Sequence, residues 1–141
     1  MLEEAAAPVV AADLTDVTRD PKAFQILVRN ESFRVVRALA SKRYDVAAEM
    51  LAPKSGETSV SPLALERSMA PYWEEHAFIA TDAEARSTKH VRIEAGEATW
   101  IVEQSLLAEE GPTPFFLAFR VDVAASRTAG KPVMTLLALA R

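Results

Sequence analysis

The chain contains no cysteine, so neither a disulfide framework nor a cysteine-based zinc site is open to it. Two histidines, fourteen positions apart at His76 and His90, are too few for a histidine-rich metal site, and no H-E-x-x-H is present. Four scattered glycines build neither a G-x-x-x-x-G-K loop nor a G-x-G-x-x-G turn, and they exclude a collagen-like chain. There is no G-x-S-x-G nucleophile elbow. No apolar run approaches the roughly 18 residues that a membrane helix needs. The first residues, Met1-Leu2-Glu3-Glu4, are acidic where a secretory leader is basic. These absences point to a cytoplasmic protein with no membrane partner.

What remains is one domain's worth of chain: 141 residues, half of them hydrophobic and about a quarter charged. The net charge of -4 argues against an independent nucleic-acid binder, because phosphate neutralisation supplies most of such affinity. The charge is uneven, however. Between Arg19 and Arg43 stand seven basic residues against Asp20 and Glu31, an excess of +5 that leaves -9 for the rest. A solvated helix face accounts for such a run. So does a docking surface for an acidic partner or a nucleic acid, with Arg29, Arg34 and Arg37 as the first contacts to test.

Residues 1–19, alanine-rich and broken by Pro8, are expected to form a linker or arm, and 20–141 the domain. Asp20-Pro21 is a cap followed by a proline where no amide hydrogen is required. Phe24, Val28, Val35 and Leu39 then make one apolar stripe on a helix running to about Lys42. Ile26 and Phe33 fall off that stripe and imply a second apolar edge. A short helix is expected over Tyr44–Leu51, ended by Pro53 and Gly56. Ser61-Pro62 opens a third, to about His76, which Pro71 should kink or split.

After Ser87 the period changes. Strands are expected over Lys89–Glu94, Ala98–Ala108, Phe115–Val123 and Pro132–Ala140. The joining turns fall at Ala95-Gly96-Glu97, Glu109–Pro114 and Ser126–Lys131. Phe115, Leu117, Phe119, Val121 and Val123 should share one face, as should Trp100, Val102, Gln104 and Leu106. Helices first and a strand meander afterwards make an α+β fold, about three N-terminal helices packed on a strongly curved antiparallel sheet. Such a sheet can enclose a pocket, for which Tyr44, Tyr72, Trp73, His76, Trp100 and Gln104 are the candidate lining. His90, Arg92, Glu94, Arg120 and Asp122 complete the polar set. A carboxylate facing a Tyr or His there would serve as a general base, but no spacing among these residues imposes a mechanism. No catalytic residue and no metal site is assigned.

Two resemblances follow from these residues. The segment Arg43–Leu51, then Leu63–His76, then four strands with Trp100 opening one of them, resembles the nuclear transport factor 2-like cone fold. That resemblance spans about residues 20–141 and implies either a small-molecule binder or isomerase/dehydratase-type enzyme, or a dimerisation module using outer-face residues such as Phe116. The block Leu14–Phe24, then Val28-Arg29-Asn30, Phe33-Arg34, Arg43-Tyr44-Asp45, Pro71-Tyr72-Trp73 and Val121–Ser126, is similar to a C-terminal domain of unknown function in bacterial DEAD/DEAH-box helicases of superfamily 2. The chain departs from that pattern at Phe115-Phe116-Leu117 and at the loop Ala80–Ser87. This similarity implies a non-catalytic accessory domain. The helicase core, with its ATP and Mg, would lie upstream in cis as the first partner, and RNA would be engaged through the parent protein.

Overall fold

The structure, a computed structural model, describes residues 16–141. Residues 1–15 of the expected arm lie outside the described residues. Its last part, at Asp16, approaches the domain: an Asp16 carboxylate oxygen is 3.3 Å from Arg127 Nε.

Helix α1 spans Pro21–Ala40 and starts where the cap predicts, with Asp20 accepting from the Lys22 amide at 3.0 Å. Phe24, Val28, Val35 and Leu39 are all fully buried. The expected second apolar edge divides. Phe33 is buried in the core, whereas Ile26 stays 49% exposed. The helix ends two residues early because the chain turns at Lys42, whose φ of 57° is left-handed. The amides of Lys42 and Arg43 return to the carbonyls of Leu39 and Ala38 at 3.0 and 2.8 Å. That pairing satisfies the last helical carbonyls.

Helix α2, Tyr44–Met50, buries Ala47 and Ala48. Helix α3, Pro62–Glu75, is capped by the Ser61 hydroxyl and buries Leu65, Met69 and Tyr72. Pro71 does not split it. The ring is exposed, and the one helical bond that proline removes would have gone to the carbonyl of Arg67, itself an exposed residue. His76 is the C-cap in extended conformation, its amide still reaching Tyr72 O at 2.9 Å.

Lys89 and His90 belong to a 3-10 turn, Thr88–His90, and not to the first strand. The strands are β1 Val91–Glu94, β2 Thr99–Ala108, β3 Gly111–Asp122 and β4 Met134–Ala140. All pairings are antiparallel in the order β1-β2-β3-β4, so the sheet is an open meander with β1 and β4 at its edges. Strand β3 starts four residues before expectation and includes Pro112 and Pro114. Thr113 makes this possible. Its hydroxyl donates to Leu106 O at 2.7 Å and accepts the Phe115 amide at 3.1 Å, replacing ladder bonds where the register shifts. Strand β4 reaches only to Phe116, so the proline-bearing start of β3 lies at an edge.

The turn expected over Ser126–Lys131 contains a fourth helix instead, α4 Val123–Ala129. Asp122 caps it through the Ala125 amide at 2.9 Å, and Gly130 ends it at φ 75°. The alternation of β3 extends through Val123, and this cap is what overrides it.

The face assignments hold. Phe115, Leu117, Phe119, Val121 and Val123 are buried, as are Trp100, Val102, Gln104 and Leu106. Phe24 of α1 meets Trp100 edge-on at 5.0 Å. Tyr72 of α3 meets Phe115 edge-on at 5.3 Å. Among the described residues the architecture is therefore α+β, four helices with a four-stranded antiparallel sheet. No helix among the described residues is long and apolar enough to cross a membrane.

Candidate functional site

The six pocket candidates do not converge on one cavity. Trp100 and Gln104 are core residues. Trp100 packs on Phe24, and Gln104 accepts from Ser32 Oγ at 3.2 Å while donating to the His90 carbonyl at 3.3 Å. A buried amide with these partners holds α1 and the 3-10 turn to β2.

Tyr72 and His76 sit together behind the β2–β3 turn. The buried Tyr72 hydroxyl donates to Phe78 O at 2.8 Å and approaches Leu107 O at 3.4 Å. Burial, with Glu109 and Glu110 adding negative potential, pushes that hydroxyl up to about 12. It is a fixed donor and not a base at neutral pH. The His76 ring lies 4.9 Å from Tyr72 and 5.9 Å from Phe115, with Nδ1 3.4 Å from a Glu110 oxygen. Its Nε2 is enclosed and has no hydrogen-bond partner among the described residues. His76, Glu109 and Glu110 bring one nitrogen and two carboxylate oxygens within 4.8 Å of one another. The 3.4 Å approach of Nδ1 to Glu110 is a charge contact, and a metal on Nδ1 would force a proton onto the enclosed Nε2.

Tyr44 and Trp73 form the third place. Trp73 Nε1 donates to Tyr44 Oη at 3.0 Å, and Lys42 Nζ lies 4.6 Å from the centre of the Trp73 ring. With Glu66, Ala70 and Glu74 they line an open depression of about 600 Å³. Residue type alone gives Lys42 no functional signal. The clue is a lysine where a helix end usually places glycine.

The other polar candidates are accounted for by local pairing, except Arg120, which is an exposed residue of β3. His90 Nε2 and Lys89 Nζ each lie 2.9 Å from the same Glu84 oxygen. The hydrogen bond from His90, followed by that from Lys89, lowers the Glu84 carboxyl below its ordinary value of 4.5. Arg92 is exposed between Glu94 and Glu103. Asp122 is the α4 cap.

On α1, Arg34 is exposed and pairs with Glu31 at 2.9 Å. Arg37 lies 5.5 Å over the Phe33 ring, and Arg29 is half-buried. The three occupy an arc of about 140° at 3.6 residues per turn, wider than a single face.

A further cleft, of about 500 Å³, has no counterpart among the sequence expectations. It opens between the 52–60 loop, α3 and edge strand β4, over a floor of Leu51, Leu65 and Leu136. The Ala52 amide reaches Met134 O at 2.8 Å and Lys54 Nζ reaches Leu137 O at 3.5 Å, so loop and strand edge are tied at two points. The only sequence signal is the hydroxyl-rich stretch Thr58-Ser59-Val60-Ser61 before a helix cap.

No curated protein and no solved structure matches the chain. Residues 2–139 match the family described as a domain of unknown function, DUF3516, and across nearly its whole length the chain belongs to that family.

Proposed function

We propose that this domain is a non-catalytic accessory module of an ATP-dependent DEAD/DEAH-box helicase, helping the motor engage RNA or a partner. The sequence similarity to a helicase C-terminal domain over Leu14–Phe24 and the later blocks carries this reading. In it, the helicase core is the partner in cis, ATP and Mg belong to that core, and the protein works in the cytoplasm. The open sheet is taken as the wall of a nuclear transport factor 2-like cone.

The single structural observation that favours a non-catalytic role is the state of the interior. Phe24, Tyr72, Trp100, Phe115 and Phe119 fill it, and the buried polar residues among those described are Ser32, His90, Gln104, Ser126 and Thr135. An isomerase or dehydratase of this shape needs a buried carboxylate facing a Tyr or His, and no Asp or Glu is in that set. The basic side chains of α1 are the nucleic-acid contacts. Arg34 and Arg37 are exposed enough to reach a phosphate.

Reversal of Arg29, Arg34 and Arg37 to Glu tests it. RNA affinity should fall, and the slope of log affinity against log salt should shrink by about 0.7 for each phosphate no longer neutralised. RNA-stimulated ATPase activity of the full-length protein should fall with it. Unchanged affinity, slope and stimulation would end the RNA reading.

A further inference from the structure

Glu66, Ala70 and Glu74 repeat every four residues and so share one face of α3, with Trp73 beside them. Ala70 leaves a gap between two carboxylates, and Lys42 and Tyr44 close the opposite side. Tyr72 and Trp73 make a T-shaped pair at 5.1 Å and 87°, and the bond from Nε1 to Tyr44 fixes the ring in its plane. The indole is thus held rigidly, with one cation already against it at 4.6 Å.

Two features of that cation matter. The depression carries two carboxylates against one ammonium, so it favours positive ligands and repels phosphate. Lys42 also occupies a left-handed backbone position, φ 57°, that glycine adopts without strain. Nothing in the α1 terminus requires a side chain there, since the closing bonds come from backbone amides.

We propose that this depression is a binding site for an alkylammonium group, that Trp73 and Tyr44 with Glu66 and Glu74 receive it, and that Lys42 is the internal cation it displaces. An aromatic face flanked by carboxylates is the chemistry by which such groups are recognised. The cation is either a free small quaternary amine or a methylated lysine side chain of a protein partner. The site does not depend on the helicase reading, and its failure would leave that reading untouched.

The test follows the Trp73 indole N–H resonance, identified by its disappearance in Trp73→Phe, during titration with tetramethylammonium chloride against sodium chloride at equal ionic strength. The Trp73 signal should shift saturably while that of buried Trp100 stays. Lys42→Gly, which keeps the backbone turn and empties the ring, should tighten binding about two- to fivefold, the factor expected for removing one exposed cation–π competitor. The double variant Glu66→Gln, Glu74→Gln should weaken it. A trimethyl-lysine peptide that binds more tightly than tetramethylammonium assigns the site to a protein partner, and equal binding assigns it to a free amine. Two results overturn the proposal: a response identical to sodium chloride in both the wild type and Lys42→Gly, or saturation by oligouridylate with none by tetramethylammonium.

Discussion

At the scale of single residues, Tyr72 shows how one hydroxyl joins three parts of the chain. It sits on α3, donates to the Phe78 carbonyl beyond the helix, and approaches Leu107 at the end of β2. Replacement by Phe keeps the ring contacts with Trp73 and Phe115 but takes the hydroxyl donor from the Phe78 carbonyl, while Leu107 O keeps the Ala80 amide at 2.7 Å, a loss of about 1 kcal/mol measurable by urea unfolding. The pH dependence separates this from simple packing. The folded hydroxyl titrates near 12 against an ordinary 10, so its stabilisation is complete below pH 10 and declines as pH rises from 10 towards 12. Tyr72→Phe should flatten that alkaline limb. Glu84 acts at the other end of the scale. Its carboxyl is depressed below 4.5, so its contribution is present above that pH and is lost as pH falls further. Glu84→Gln should reduce the acid sensitivity of urea unfolding below pH 4.5, and an unaltered acid limb would remove Glu84 from the account.

At the scale of elements, the cap signals are the most legible part of the chain. Asp20-Pro21 and Ser61-Pro62 each start a helix at the expected residue, because a side-chain acceptor followed by proline satisfies local needs that no distant contact changes. Asp20→Ala should lower stability by about 1 kcal/mol in urea unfolding, and Asp20→Asn should recover most of it. Signals that depend on partners are harder to read. Pro112 and Pro114 resemble turn residues, yet both lie in β3 because Thr113 supplies the missing bonds. Helix α4 is hidden because its Asp122 cap is also the last alternating residue of a strand. Residue type, the basis of the pocket candidates, distinguishes a satisfied core amide such as Gln104 from a ligand contact only when its neighbours are known. Trp73 and Tyr44 are within reach of that reasoning. Their bond to each other, and the lysine above them, are not.

At the scale of the whole molecule, helices and sheet share one interior, and the alternation of β2 and β3 already defines its sheet side. Phe24 and Trp100 meet within it from opposite layers. Phe24→Ala should cost about 3–5 kcal/mol, a large part of the roughly 5–15 kcal/mol that holds a small domain together. The loss should register at the same denaturant concentration by Trp100 fluorescence and by far-UV circular dichroism. Separate midpoints would mean that the layers unfold independently.

The meander order carries a kinetic consequence. Each strand bonds only to strands adjacent along the chain, and β2 and β3 are joined by just Glu109 and Glu110. The sheet can therefore grow outward from a single hairpin, zipping β1 and β4 on in turn with little loop entropy spent at any step. The slow event is then the arrival of α1, which must close a loop of 75 residues, 25–99, before Phe24 finds Trp100.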